Sequence, residues 1–88
     1  MIYKFVITSE FEKEFKKLDQ SIQRIILKWI KKNIMRIDDP RAFGKVLTGN
    51  LKEYWRYRIG DYRLIVDIQD EKFVIIGIHI GHRKDIYK

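Results

Sequence analysis

The chain has 88 residues, a length that suits one small domain. It has no cysteine, which excludes disulfides and thiolate chemistry. Its net charge of +7 favours an anionic partner, such as nucleic acid, an acidic protein or a membrane surface. No apolar run approaches the roughly 20 residues that span a bilayer, and the first residues lack a signal-peptide layout. We therefore expect a soluble, cytoplasmic protein without a membrane partner.

The N-terminal half of the sequence predicts one strand and a helical hairpin. Residues 1–7 are rich in β-branched and aromatic side chains, which favour a strand. Ser9 and Glu12 have the spacing of a capping box at the start of a short first helix. Asp19 is the expected N-cap of a second helix, in which isoleucines recur at helical spacing. We expect this second helix to stop at residues 38–40, where two aspartates precede a proline.

The C-terminal half predicts a loop over residues 38 to about 50 and then a strand meander. The first turn lies at Gly60-Asp61 and the second near Asp70-Glu71. Three strands are expected, over residues 53–59, 62–68 and 72–80. The β-α-α-β-β-β order predicts a single α+β domain over residues 1–88, with the helical hairpin packed on one face of a mainly antiparallel four-stranded sheet.

The hairpin around Gly60 is predicted to concentrate arginines on one face of the sheet. A two-residue turn pairs Arg58 with Arg63, and alternation places Arg56 on the same face. Like charges directly opposite each other destabilise a sheet, whereas guanidinium groups match phosphate oxygens in geometry and charge. A phosphate-binding surface is therefore one interpretation. The alternative is neutralisation of the arginines by aromatic stacking or by nearby carboxylates, of which the candidates are Glu53, Asp61 and Asp67.

The second helix carries a basic face opposite its apolar stripe. The basic residues are Arg24, Lys28, Lys31, Lys32 and Arg36. A solvated outer face is the simpler interpretation, and a binding site for an acidic partner is the alternative.

The C-terminal segment contributes further polar candidates. Arg83 and Lys84 follow the last predicted strand and are able to bend over the open sheet face. Tyr87 either stacks on a base or anchors the chain by packing. His82, expected just past the strand, is the better candidate for proton transfer near neutral pH. His79 is expected to be a surface or core histidine whose hydrogen bonds are satisfied. The spacing of histidines and carboxylates predicts no metal site.

Several short motifs occur together in a fixed order. They are Leu47-x-Gly49, Tyr54-x-Arg56-x-Arg58, Gly60-Asp61-Tyr62-Arg63-Leu64, Gly81-His82-Arg83 and Tyr87. This combination, which covers nearly the whole chain, resembles the RelE/ParE superfamily of toxins from type II toxin–antitoxin pairs. The Arg83…Tyr87 ending is closer to the RelE branch than to the ParE branch.

The resemblance implies a metal-independent, cofactor-free endoribonuclease of the mRNA interferase type. It would cut messenger RNA in the ribosomal A site by attack of a 2′-OH on the adjacent phosphate. Its implied partners are the ribosome, the message and a cognate acidic, RelB-like antitoxin. Two alternatives remain: a ParE-like inhibitor of DNA gyrase, and a catalytically inactive module that binds RNA or antitoxin.

The resemblance also implies roles for individual residues. The expected catalytic group is Arg58, Arg63, His82, Arg83 and Tyr87, and the expected RNA-binding group is Lys45, Lys52, Arg56 and Lys84. Relatives often carry lysines at the positions of Arg56 and Arg58, and arginine does not give up its proton in proteins. The identity of the general base therefore stays open. Either Glu53 is the base and His82 the acid, or charge stabilisation does most of the work and Tyr87 assists proton transfer.

Overall fold

The computed structural model of the chain describes residues 2–48 and 53–82. Its regular elements are β1 (Lys4–Ile7), α1 (Ser9–Lys16), α2 (Gln20–Asn33), β2 (Lys45–Thr48), β3 (Glu53–Ile59), β4 (Tyr62–Gln69), a 3₁₀ turn (Asp70–Lys72) and β5 (Val74–His82). The strands form one sheet in the order β1-β5-β4-β3-β2. The β1–β5 pair is parallel and the other three pairs are antiparallel. The α+β class and the helical hairpin are as predicted.

The sheet has five strands rather than the predicted four. The additional strand is β2, which lies inside the segment expected to be a loop and pairs with β3 through contacts such as Lys45 with Arg56. Four residues between two glycines carry too little pattern to predict a strand. Pairing with β3, rather than local propensity, therefore makes this segment extended.

The start of α1 differs from the prediction by one residue. Thr8, not Ser9, is the N-cap, and its Oγ1 accepts a hydrogen bond from the Phe11 N–H at 3.1 Å. The same hydroxyl donates to the Gly77 carbonyl at 3.1 Å, so β5 holds the cap in place. The predicted capping box between Ser9 and Glu12 is therefore wrong, because a tertiary contact selects the neighbouring hydroxyl.

The ends of α2 and β5 also differ from their predicted positions. Asp19 is the N-cap position of α2 as predicted, but the helix ends at Asn33, before the 38–40 stop signal. Arg36 then has φ 64°, a left-handed conformation that turns the chain after the helix. At the other end of the chain, β5 extends two residues beyond its predicted end and includes His82.

The core lies between the two helices and one face of the sheet. Its fully buried side chains are Ile26, Ile34, Tyr57, Leu64, Val66, Ile75 and Ile80. Burial of each large aliphatic side chain contributes about 1.5–3 kcal/mol relative to exposure. Burial also raises the pKa of Tyr57, whose hydroxyl donates to the Pro40 carbonyl. In the segments that the structure covers, no helix has the length and apolar character needed to cross a membrane.

A polar latch joins the N-terminal segment, the loop before β2 and the 3₁₀ turn, and it predicts a pH-dependent stability. Arg41 donates to both Asp70 oxygens at 3.0 and 3.1 Å, and the Tyr3 hydroxyl donates to Oδ1 at 2.7 Å. These bonds, from Arg41 first and then Tyr3, lower the pKa of Asp70. The stabilisation is therefore fully present above the unfolded-state pKa of about 4 and is lost as the pH falls through the lower folded-state pKa.

We expect Asp70→Asn to lower the free energy of unfolding at pH 7 by about 1 kcal/mol or less, because the ion pair is about half exposed. Urea unfolding at pH 7 and at pH 2 measures the effect, with Asp61→Asn as a control for loss of an exposed carboxylate. The difference between wild type and Asp70→Asn should shrink at pH 2. An equal difference at both pH values would contradict the role of the ionised latch.

Candidate nucleic-acid interface

The side chains of β3 alternate between the core and the open face of the sheet. Tyr57 is fully buried and Ile59 is 3% exposed, both on the helix side. Arg56 is half-buried and Arg58 is exposed on the opposite side. The Arg58 Nε donates to the Gly60 carbonyl at 3.4 Å, a contact that leaves the rest of the guanidinium accessible. The predicted separation of aromatic and basic residues on this strand is confirmed.

Arg63 lies directly opposite Arg58, as the turn at Gly60 predicted. The two residues are register partners between β3 and β4, and Gly81 is the partner of Arg63 on β5. Arg63 is only 8% exposed, and paired strands fix its backbone on both sides. Since glycine has no side chain, β5 contributes only backbone at the position paired with Arg63.

A second basic row lies next to the arginine pair. Lys45 pairs with Arg56, which in turn pairs with Ile65 on β4. Lys45 is exposed at the edge of the sheet. The four residues Lys45, Arg56, Arg58 and Arg63 thus come from three adjacent strands and share one surface, which we call the arginine face.

Two of the carboxylates expected near this face, Asp61 and Asp67, differ in burial. Asp67 is buried and accepts a hydrogen bond from Gln69 at 2.8 Å. It lies four residues along β4 from Arg63, a distance of roughly 13 Å in an extended strand. Asp61 is exposed in the turn itself. Of these two carboxylates, Asp61 lies closer along the chain to the Arg58–Arg63 pair.

The structure does not bring His82 to the arginine face. His82 is the β5 partner of Tyr62, and their rings meet edge-on with centroids 5.5 Å apart. Alternation along the strand places Gly81 on the side of Arg63 and His82 on the helix side. The expectation that His82 follows the strand is wrong, because β5 continues through it. Its catalytic role remains a prediction that this placement does not favour.

His79 is a satisfied surface histidine, as expected. Its Nδ1 lies 3.1 Å from Glu14 Oε1, and the same oxygen accepts the Ile80 N–H at 3.1 Å. The contact ties α1 to the part of β5 beyond the end of β1. His79 thus has a structural partner and needs no catalytic role.

Four of the predicted site residues fall outside the described residues, namely Lys52, Arg83, Lys84 and Tyr87. Their roles stay predictions. Across residues 2–48 and 53–82, no group of three or more histidine, cysteine, aspartate or glutamate side chains has a geometry able to hold a metal ion.

Sequence reasoning missed Gly44 as a residue that supports the arginine face. Gly44 has φ 84°, and a Cβ there would collide with the Arg56 carbonyl oxygen and lie 2.8 Å from Trp55 Nε1. The loop before β2 is held close to β3 by a hydrogen bond from Trp55 Nε1 to the Phe43 carbonyl at 2.6 Å. A single glycine in a predicted loop gives no sign of this close approach.

The fold and the arginine face together define a small, basic α+β domain. Comparison with known protein families assigns this domain to one family of proteins. Residues 5–87 match the sequence model of the ParE toxins of type II toxin–antitoxin systems. The chain belongs to this family, and with it to the RelE/ParE superfamily that the motifs indicated.

Individual relatives carry RelE-type names. The chain is 28% identical to toxin RelG of Mycobacterium tuberculosis over 88 residues, which cover 100% of this chain and 99% of that protein. A crystal structure of the toxin–antitoxin complex RelBE2 from the same organism matches with a TM-score of 0.83 and 26% identity, covering 97% and 95% of the two chains. The archaeal RelE–RelB complex from Pyrococcus horikoshii shares the fold, with a TM-score of 0.71, 23% identity and coverage of 97% and 99%.

Proposed function

We propose that this toxin is a metal-independent endoribonuclease that cleaves messenger RNA on the ribosome, in the cytoplasm. The observation that carries the proposal is the direct opposition of the exposed Arg58 and the buried Arg63 on the side of the sheet away from the helices. Two like charges in register are unfavourable for a sheet, and guanidinium groups match phosphate oxygens in geometry and charge. A phosphodiester between the two guanidinium groups would convert this repulsion into binding.

The arrangement suits transfer of a phosphoryl group to a neighbouring hydroxyl of the same RNA strand. The 2′-oxygen forms a bond to phosphorus while the bond to the 5′-oxygen of the next nucleotide breaks. The products are a 2′,3′-cyclic phosphate and a 5′-hydroxyl. Negative charge grows on the non-bridging oxygens, and prepositioned guanidinium donors stabilise it, each contributing about 10²–10³-fold in comparable sites.

We assign Arg63 to the scissile phosphate and Arg58 to the phosphate or the attacking oxygen. Arg56 and Lys45, one row further along the sheet, would hold the neighbouring backbone. Arginine does not accept a proton at neutral pH, so proton transfer needs another group. The sequence-based candidates for proton transfer are Glu53, with His82 as the acid, and Tyr87. Arg83 remains the candidate for a second contact to the scissile phosphate.

The same face suits a protein inhibitor of opposite charge. The relatives described above include toxins solved as complexes with RelB-type antitoxins. With a net charge of +7, this chain would attract an acidic antitoxin electrostatically. We propose that a cognate acidic antitoxin neutralises the toxin by covering the arginine face and thereby excluding RNA.

The test is primer extension on a message translated in a cell-free system. We expect the wild-type chain to produce new 5′ ends within the translated region, and Arg58→Ala to reduce them by about 10-fold or more. Arg36→Asn is the matched control, because it removes an exposed cation while suiting the left-handed backbone at that position. If messages stay intact while expression of the toxin in cells still arrests growth, the proposed nuclease activity is contradicted.

The ParE name of the matching family supports a second candidate, inhibition of DNA gyrase. The same fold accommodates both activities, so fold alone does not choose between them. Accumulated DNA breaks with relief by resistant gyrase, and no cleavage of translated messages, would favour this second function.

A further inference from the structure

Helix α2 carries an unusual excess of positive charge on its exposed side. Over Gln20–Asn33 it has no acidic residue. Its exposed basic side chains are Arg24, Lys28, Lys31 and Lys32. Arg24 with Lys28, and Lys28 with Lys32, are like-charge pairs at a spacing of four residues, which destabilises a helix. Solvated helix faces ordinarily mix both signs, so helix stability does not explain this composition.

The basic residues form a ridge along the middle of the outward face of the helix. At 100° per residue, Lys28 points almost directly away from Ile26 and Ile30, the buried residues of α2. Apolar side chains lie at the two margins of the ridge, with Leu27 44% exposed on one side and Ile25 56% exposed on the other. A shallow groove of about 510 Å³ runs along the ridge beside Leu27. We call Arg24, Lys28, Lys31 and Lys32 the α2 ridge.

No ion pair neutralises the ridge from within the described chain. The described ion pairs of Glu12, Asp70 and Glu14 are with Lys16, Arg41 and His79, and none of them involves a residue of α2. The ridge therefore presents four uncompensated charges to solvent. Because the helices cover the face of the sheet that carries Tyr57 and Leu64, this surface lies on the opposite side of the domain from the arginine face.

The order of charged and apolar residues indicates which anion the ridge suits. Protein interfaces place apolar and aromatic residues at the centre, charges at the rim, and little lysine overall. The α2 ridge reverses this order, with lysine at the centre and apolar residues at the margins. Lys28 and Lys32 stand roughly 6 Å apart along the helix axis, and lysine binds phosphate as a point charge without demanding one geometry.

We propose that the α2 ridge binds the phosphodiester backbone of structured, double-helical RNA, independently of the arginine face. The ribosomal setting of this contact rests on the proposed function. The toxin would then be held between two RNA surfaces, with the message on the sheet side and a ribosomal helix on the α2 side. Binding and cleavage would depend on separate residues.

The test compares two double variants with equal loss of charge. Lys28→Gln/Lys32→Gln removes two charges from the ridge, and Lys13→Gln/Lys16→Gln removes two exposed lysines from α1. The probe is a 20-base-pair RNA duplex, with binding followed by fluorescence anisotropy over a range of salt concentrations. We expect the ridge variant to lose roughly tenfold in affinity and the slope of log K against log salt to fall by about 1–2, while the control stays near wild type.

Folding and function are measured separately from duplex binding. Thermal unfolding of the ridge variant should match or exceed that of wild type, because a like-charge pair is removed. Equal duplex binding by the two variants would overturn the inference. So would loss of antitoxin binding with unchanged RNA binding, which would assign the ridge to an acidic protein instead.

Ribosome co-sedimentation and message cleavage separate this inference from the proposed function. A toxin that cuts messages but binds duplex RNA and ribosomes equally in both variants contradicts the α2 ridge alone. A wild-type toxin that cuts no message, yet binds duplex RNA through the ridge, contradicts the proposed nuclease alone.

Discussion

Replacement of Arg63 by alanine is expected to lower ribosome-dependent message cleavage by about 10²–10³-fold, the largest catalytic effect that we predict. Arg63 lies on β4 at the centre of the sheet, and pairing with β3 and β5 fixes its backbone on both sides. Its side chain is 8% exposed, so little reorganisation is needed when charge develops on the phosphate. Primer extension over a time course gives the rate.

Arg63→Lys separates charge from geometry at this position. Lysine keeps the positive charge but lacks the planar fork of donors, so we expect partial activity between wild type and Arg63→Ala. Thermal unfolding of all three proteins is measured in parallel, because Arg63 is buried enough to affect packing. Full activity of a folded Arg63→Ala toxin would remove Arg63 from the proposed site.

Gly44→Ala is expected to cause the largest loss of stability for the smallest change in side chain. Gly44 has φ 84°, which costs about 1–2 kcal/mol for a residue with a Cβ. The added methyl group also collides with the Arg56 carbonyl oxygen, and overpacking of this kind costs about 1–3 kcal/mol. The free energy of unfolding should fall by about 2–5 kcal/mol, a large part of the stability of a small domain. Urea unfolding measures it.

Gly60→Ala is the matched control for this prediction. Gly60 also has a positive φ, of 60°, but a Cβ there would meet no atom within 4 Å. The free energy of unfolding of Gly60→Ala should therefore fall only by the cost of the positive φ, about 1–2 kcal/mol. Equal losses in the two variants would show that Gly44 is required for its backbone angle and not for the close approach of the loop to β3. Because the collision is with the backbone of Arg56, Gly44→Ala should also reduce cleavage.

The basic face of the hairpin was predictable because its determinants are local. A two-residue turn at Gly60 sets the register, and the strict alternation of strand side chains then assigns every residue to a face. These two facts alone place Arg58 and Arg63 opposite each other. The same reasoning separated Tyr57 and Ile59, which face the core, from the arginines.

Other features were not predictable because they depend on contacts between distant segments. Thr8 caps α1 because β5 holds it through Gly77, and the sequence around Ser9 offers an equally good local signal. β2 is a strand only because β3 pairs with it, and β5 extends to His82 because β4 continues beside it. These pairings join residues that are far apart along the chain or that have weak propensity on their own.

The amino-acid sequence by itself thus determined the class of domain, its excess of positive charge and the convergence of arginines at one hairpin. Local turn chemistry and side-chain periodicity suffice for these properties. The tertiary structure alone decided which strand edges are paired, that His82 lies across the sheet from Arg63, and that Gly44 must be small. Each of these depends on the close packing of distant segments, for which a single sequence carries no local signal.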